Sequence, residues 1–65
     1  MKSKDSFVLN VRQAVGETQV VFAERIGVGI ASLKRYELNG TMPTSKAVLR
    51  VLESLAKEHG VENQN

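Results

Sequence analysis

Two glycines flanking a valine, Gly27-Val28-Gly29, interrupt a helical period that otherwise runs from Thr18 to Gly40, and this break constrains the chain more than any other feature. At about 100° of rotation per residue, Phe22, Ala23 and Ile26 fall on one side of the segment before the break. After it, Leu33 and Tyr36 turn inward, while Ala31, Lys34 and Arg35 point outward together. Glycines at this point permit the tight turn, with positive φ where needed, that two short crossing helices require. Val28 supplies an apolar peg beneath the turn. The expectation is a pair of short helices, the second with a small basic outer face, and a remainder that braces them.

The bracing elements follow the same logic. Ser3 is expected to cap a first helix, with Asp5 in its positive first turn, running to about Val15 before Gly16 ends it. Val8, Arg12 and Val15 share one face of that helix; Leu9 and Val11 do not fully fit the stripe. Thr18 is a good N-cap for the second helix, and its neighbour Gln19 sits where free backbone N–H groups converge, a place suited to a phosphate. The third helix is expected from Ile30 to Glu37. Beyond it Leu38-Asn39-Gly40-Thr41-Met42-Pro43 reads as loop, since Asn-Gly favours a turn and Pro43 disfavours helix at Met42. Thr44 then caps a last helix to about His59, with Val48, Leu49, Leu52, Leu55 and Ala56 as its apolar stripe and Gly60 as its stop.

The fold class is therefore all-α: a compact four-helix domain over residues 4–60, with flexible termini at 1–3 and 61–65. A chain of 65 residues buries only about 60% of its unfolded surface. With no cysteine it has neither a disulfide nor a thiolate zinc site to staple it, so helix packing must stabilise it. No run of apolar residues reaches the length of a membrane span, and none behind Lys2 and Lys4 suits a signal peptide, so a reduced cytoplasm is the expected compartment. Charge is uneven: residues 1–50 hold eight Lys/Arg against four Asp/Glu, whereas 51–65 hold Lys57 against Glu53, Glu58 and Glu62. That asymmetry suits a polyanionic partner.

Catalysis finds little to work with. His59, the single histidine, stands in a last helical turn where its partial charge suits the open carbonyls. No paired carboxylates, Ser/His/Asp set or metal cluster can be assembled, and no cofactor is expected. The stretch from Gly27 to Ser32 half matches a dinucleotide fingerprint, but no strand precedes it and Ser32 replaces its third glycine. Lys34 and Arg35, by contrast, can donate to guanine O6 and N7 in a major groove wide enough for a helix, and Ala31 can touch a thymine methyl. Ile30 and Ser32 flank that face. A merely solvated Lys-Arg pair fits the same residues equally well.

Gln19, Ala23, Gly27-Val28, Leu33, Arg35-Tyr36-Glu37, Gly40 and Pro43 together resemble the pattern of the Cro/CI-type (XRE) helix-turn-helix family of bacterial and phage DNA-binding proteins, over roughly Lys4 to Leu55. The chain is also similar to the helix-turn-helix half of MqsA-type antitoxins, although these carry a cysteine-bearing zinc domain that it lacks. The resemblance implies a lambda-repressor-like fold, usually of five helices where four are expected here. It implies double-stranded operator DNA as partner, a homodimer on palindromic half-sites, and transcriptional regulation by repression at the nucleoid. Base reading would fall to Ile30, Ala31, Ser32, Lys34 and Arg35, and phosphate contact to Thr18, Gln19, Asn39, Gly40, Thr41 and Lys46, with Lys2 a further candidate. It also pairs Arg12 with Glu37, which answers why an arginine lies on an inner face, where an unpaired charge is costly. Relatives place more polar residues where this chain has Ile30 and Ala31, leaving DNA shape to add specificity. Exposed Val20, Val21, Leu9 or Val11 and the last helix are candidate contacts for a second copy. The alternative is an antitoxin or protein-interaction module that docks a toxin or other protein.

Overall fold

A computed structural model describes residues 6–62, and these form four helices: α1 (Phe7–Val15), α2 (Gln19–Ile26), α3 (Ile30–Asn39) and α4 (Lys46–His59). There is no strand among the described residues. α1 packs against α3 and α4, and α2 packs against the same two helices from the other side. Phe22, Leu33, Leu52, Val8 and Val11 lie fully buried where these surfaces meet. Phe7, Ala23, Ile26, Val48 and Ala56 complete the core, with Val28 and Tyr36 packed on its edge.

The first helix differs from its sequence expectation. Its N-cap is Ser6 rather than Ser3; Ser3 and Asp5 lie outside the described residues. Ser6 Oγ accepts from the Leu9 amide at 3.1 Å and donates to the Tyr36 carbonyl at 3.1 Å. That second bond joins α1 to a residue 30 positions away, so the start of the helix is selected by a tertiary partner as well as by a local cap. The shift makes Phe7 the first residue of the helix. Phe7, Val11, Val15 and Val8 then occupy an arc about 100° wide, with Val11 at its centre. Val11 is fully buried and is no surface contact for a second copy.

α4 is capped by Ser45, whose Oγ accepts from the Val48 amide at 3.4 Å, and not by Thr44. This start sets Val48, Leu52 and Ala56 against the core, with Val51 and Leu55 half-buried beside them. α3 is longer than the sequence suggests: Leu38 and Asn39 belong to its last turn rather than to the loop. Gly40 stops it in the left-handed region at φ 72°, its amide donating to the Tyr36 carbonyl. The α2–α3 turn works similarly. Gly27 takes φ 84°, and the Gly27 and Val28 amides both return to the Ala23 carbonyl, at 2.9 and 3.0 Å. A side chain at Gly27 would meet no neighbour within 4 Å, so glycine is required there by the backbone angle and not by space. Val61, which the sequence places in the trailing segment, packs against the core, and its amide donates to the Ala56 carbonyl at 2.8 Å. No helix among the described residues is long and apolar enough to cross a membrane.

Candidate nucleic-acid interface

The orientation of α3 is set by one carboxylate. Glu37 Oε2 accepts from Arg12 Nε at 2.6 Å, while its Oε1 accepts from Arg12 Nη2 at 3.2 Å and from Gln19 Nε2 at 2.8 Å. Arg12 Nη1 donates in addition to the Glu17 carbonyl at 3.0 Å. One planar guanidinium therefore ties α1, the α1–α2 turn and α3, and Gln19 adds the start of α2. The Glu37 and Arg12 side chains retain only 8% and 19% of their exposure, so water competes little for these bonds.

A second, exposed ion pair holds the same turn. Arg25 on α2 donates from Nε to both carboxylate oxygens of Glu17, at 2.9 and 3.0 Å, and from Nη2 to Oε2. These hydrogen bonds, with the attraction of the arginine charge, hold the Glu17 carboxyl below its usual value and raise Arg25 above its own. Because the folded value of Glu17 is depressed, the stabilisation is complete above the ordinary value of 4.5 and is lost as pH falls through the folded one. Arg25 stays half exposed, so solvent screens the pair. Glu17→Gln should melt slightly below the parent at pH 7, the gap closing as pH falls through the depressed folded value; a gap that does not narrow in acid would show that another property of Glu17 is responsible.

With α3 so anchored, its outward face is defined. Ala31, Lys34 and Arg35 are exposed, Ile30 is 37% exposed and Ser32 is half-buried. Neither Lys34 nor Arg35 meets a carboxylate among the described residues, and the one acid of α3, Glu37, is engaged by Arg12 and Gln19. The outer face of α3 thus carries two exposed cations with no carboxylate partner among the described residues. Sequence reasoning missed Leu38. Counted as loop, it is in fact helical and 80% exposed, one turn beyond Lys34 and on the same face. The glycine at position 40 was the available signal, since a glycine just past a helix end extends the helix to the residue before it.

The phosphate candidates spread over three segments. Thr18 is exposed and caps α2, its Oγ1 accepting from the Val21 amide at 3.4 Å. With the Phe22 amide also bonded to the Thr18 carbonyl, the Gln19 and Val20 amides have no backbone partner among the described residues, as is usual of first-turn donors. Gln19 is half-buried, and one of its side-chain N–H groups is already engaged by Glu37. Gln19, Lys34, Glu37 and Leu38 line one open groove of about 340 Å³, so the start of α2 and the outer face of α3 form a continuous surface. Asn39 and Thr41 are exposed around the half-buried Gly40, and Lys46 is exposed at the first position of α4. Lys2 lies outside the described residues.

Over 55 residues the chain is 33% identical to the cryptic phage CTXphi transcriptional repressor RstR of Vibrio cholerae serotype O1, a match covering 85% of this chain and 48% of that protein. The chain thus spans about half the length of the curated relative it matches. No family model matches it, and no solved structure does.

Proposed function

We propose, from this likeness to a phage transcriptional repressor, that the chain is a non-enzymatic regulator of the Cro/CI type that binds double-stranded operator DNA and represses transcription. The observation that carries the reading is the pair of exposed cations, Lys34 and Arg35, on the outer face of a helix locked by the Arg12–Glu37–Gln19 network. A helix presented in this way fits the major groove, where Arg35 and Lys34 donate to guanine acceptors and Ile30, Ala31 and Ser32 flank them. Thr18, Gln19, Asn39, Gly40, Thr41 and Lys46 position the domain on phosphates without specifying sequence. One domain covers one half-site, so a homodimer on half-sites about 34 Å apart completes the arrangement. The compartment is the cytoplasm, at the nucleoid.

The test begins with selection of bound duplexes from a random pool, followed by titration of the selected and a scrambled duplex at several salt concentrations. Affinity should fall steeply with salt, by about 0.9 in log K per log unit of salt for each phosphate contacted. Arg35→Ala should lose about 1–3 kcal/mol of discrimination between the two duplexes, whereas Gln19→Ala should weaken both alike. Equal losses from both substitutions would remove Arg35 as a base reader.

The antitoxin or protein-docking alternative draws on Val20 and Val21, which are 63% and 48% exposed on α2. Binding to a toxin or other protein through them would be nearly independent of salt and indifferent to Arg35→Ala.

A further inference from the structure

The outermost line of α3 is apolar. On the helical wheel Ala31 and Leu38, seven residues apart, lie within about 20° of each other at the centre of the exposed face. Lys34 and Arg35 stand about 40–60° to either side, and Ile30 lies beyond Lys34 in the first turn. Leu38, at 80% exposure, is the most exposed large apolar side chain among the described residues. An isolated exposed leucine is ordinary. A leucine in line with an alanine between two exposed cations is a patterned surface, and its charge complements a polyanion.

We infer that this ridge reads the 5-methyl groups of thymines at two places in the operator, with Leu38 as a specificity-determining residue; the inference rests on the DNA-binding reading above. In the major groove the thymine methyl is the apolar feature of the base edges, and it lies among the acceptors that Lys34 and Arg35 would seek. An apolar side chain gains there only where a methyl is present. From Ala31 to Leu38 the helix rises about 10 Å along its own axis, too far for both side chains to meet one base pair. The two methyl contacts therefore fall on different base pairs, one under Ile30 and Ala31 and the other under Leu38. Leu38→Ala removes the second without touching the core or the Glu37 network.

The experiment is a uracil scan. Each thymine of the selected duplex is replaced in turn by deoxyuridine, which deletes only the methyl, and affinity is measured for the full chain and for Leu38→Ala at one salt concentration. Two separate positions should each weaken binding about 4-fold, the transfer value of one methyl group. In Leu38→Ala one of the two should become insensitive and the other remain. The inference is overturned if no uracil position matters while selected DNA still outcompetes scrambled DNA, or if Leu38→Ala weakens thymine and uracil duplexes alike. The latter outcome would assign Leu38 to the DNA backbone, a second copy or a protein partner. If selected and scrambled duplexes bind equally, the DNA-reading proposal fails together with this one.

Discussion

Arg12→Ala should lower stability by about 3 kcal/mol, or about 15 °C in melting temperature for a domain of this size. The substitution deletes both guanidinium bonds to Glu37 and the third bond to the Glu17 carbonyl. It leaves a carboxylate that is only 8% exposed with Gln19 Nε2 as its remaining side-chain donor. Stranding one partner of such a pair generally costs about 3–5 kcal/mol. The lower end applies because Arg12 keeps some contact with water. Removing both charges is a different experiment. Arg12→Met combined with Glu37→Leu should recover most of the lost stability, since a packed apolar pair of similar volume is often as stable as the ion pair it replaces. The double variant should nonetheless bind DNA poorly, because the planar contact that fixes α3 against α1 and α2 is gone. Thermal melts of the parent, single and double variants decide the matter. Arg12→Ala melting with the parent would mean that the ion pair contributes nothing.

Phe22→Ala should abolish a cooperative thermal transition altogether. Phe22 is the largest fully buried side chain, and its replacement by alanine is expected to cost about 3–5 kcal/mol through lost transfer free energy and the cavity left behind. A domain of this length has about 3–10 kcal/mol to lose. No disulfide limits the damage, since the chain contains no cysteine. Phe22→Leu, which keeps most of the volume, should retain the transition at a lower temperature. Circular dichroism on heating, with hydrogen exchange at 25 °C, distinguishes the two; a sharp transition near the parental temperature in Phe22→Ala would contradict the assignment of Phe22 to the centre of the core.

The sequence by itself determined the four helices, the glycine stops after α1, α2 and α4, and the apolar stripes of α2 and α4. It also put Ala31, Lys34 and Arg35 on the outer side of α3. These features depend on interactions within four or five residues, such as the helical repeat, side-chain caps and left-handed glycines, so they are legible locally. An arginine on an otherwise apolar face likewise announced that it needed a partner, although the identity of Glu37 came from resemblance. Only the tertiary structure decided that Ser6 starts α1, because the carbonyl that fixes it lies 30 residues away. It also decided that Val11 sits at the centre of a buried arc, and that Gln19 gives one N–H to Glu37 across 18 residues. Leu38 is a mixed case: Gly40 and the helical repeat were enough to turn it toward the side of Lys34 and Arg35, but whether an apolar residue on that side is covered depends on which other helices pack there, and only the tertiary structure decided that it is exposed.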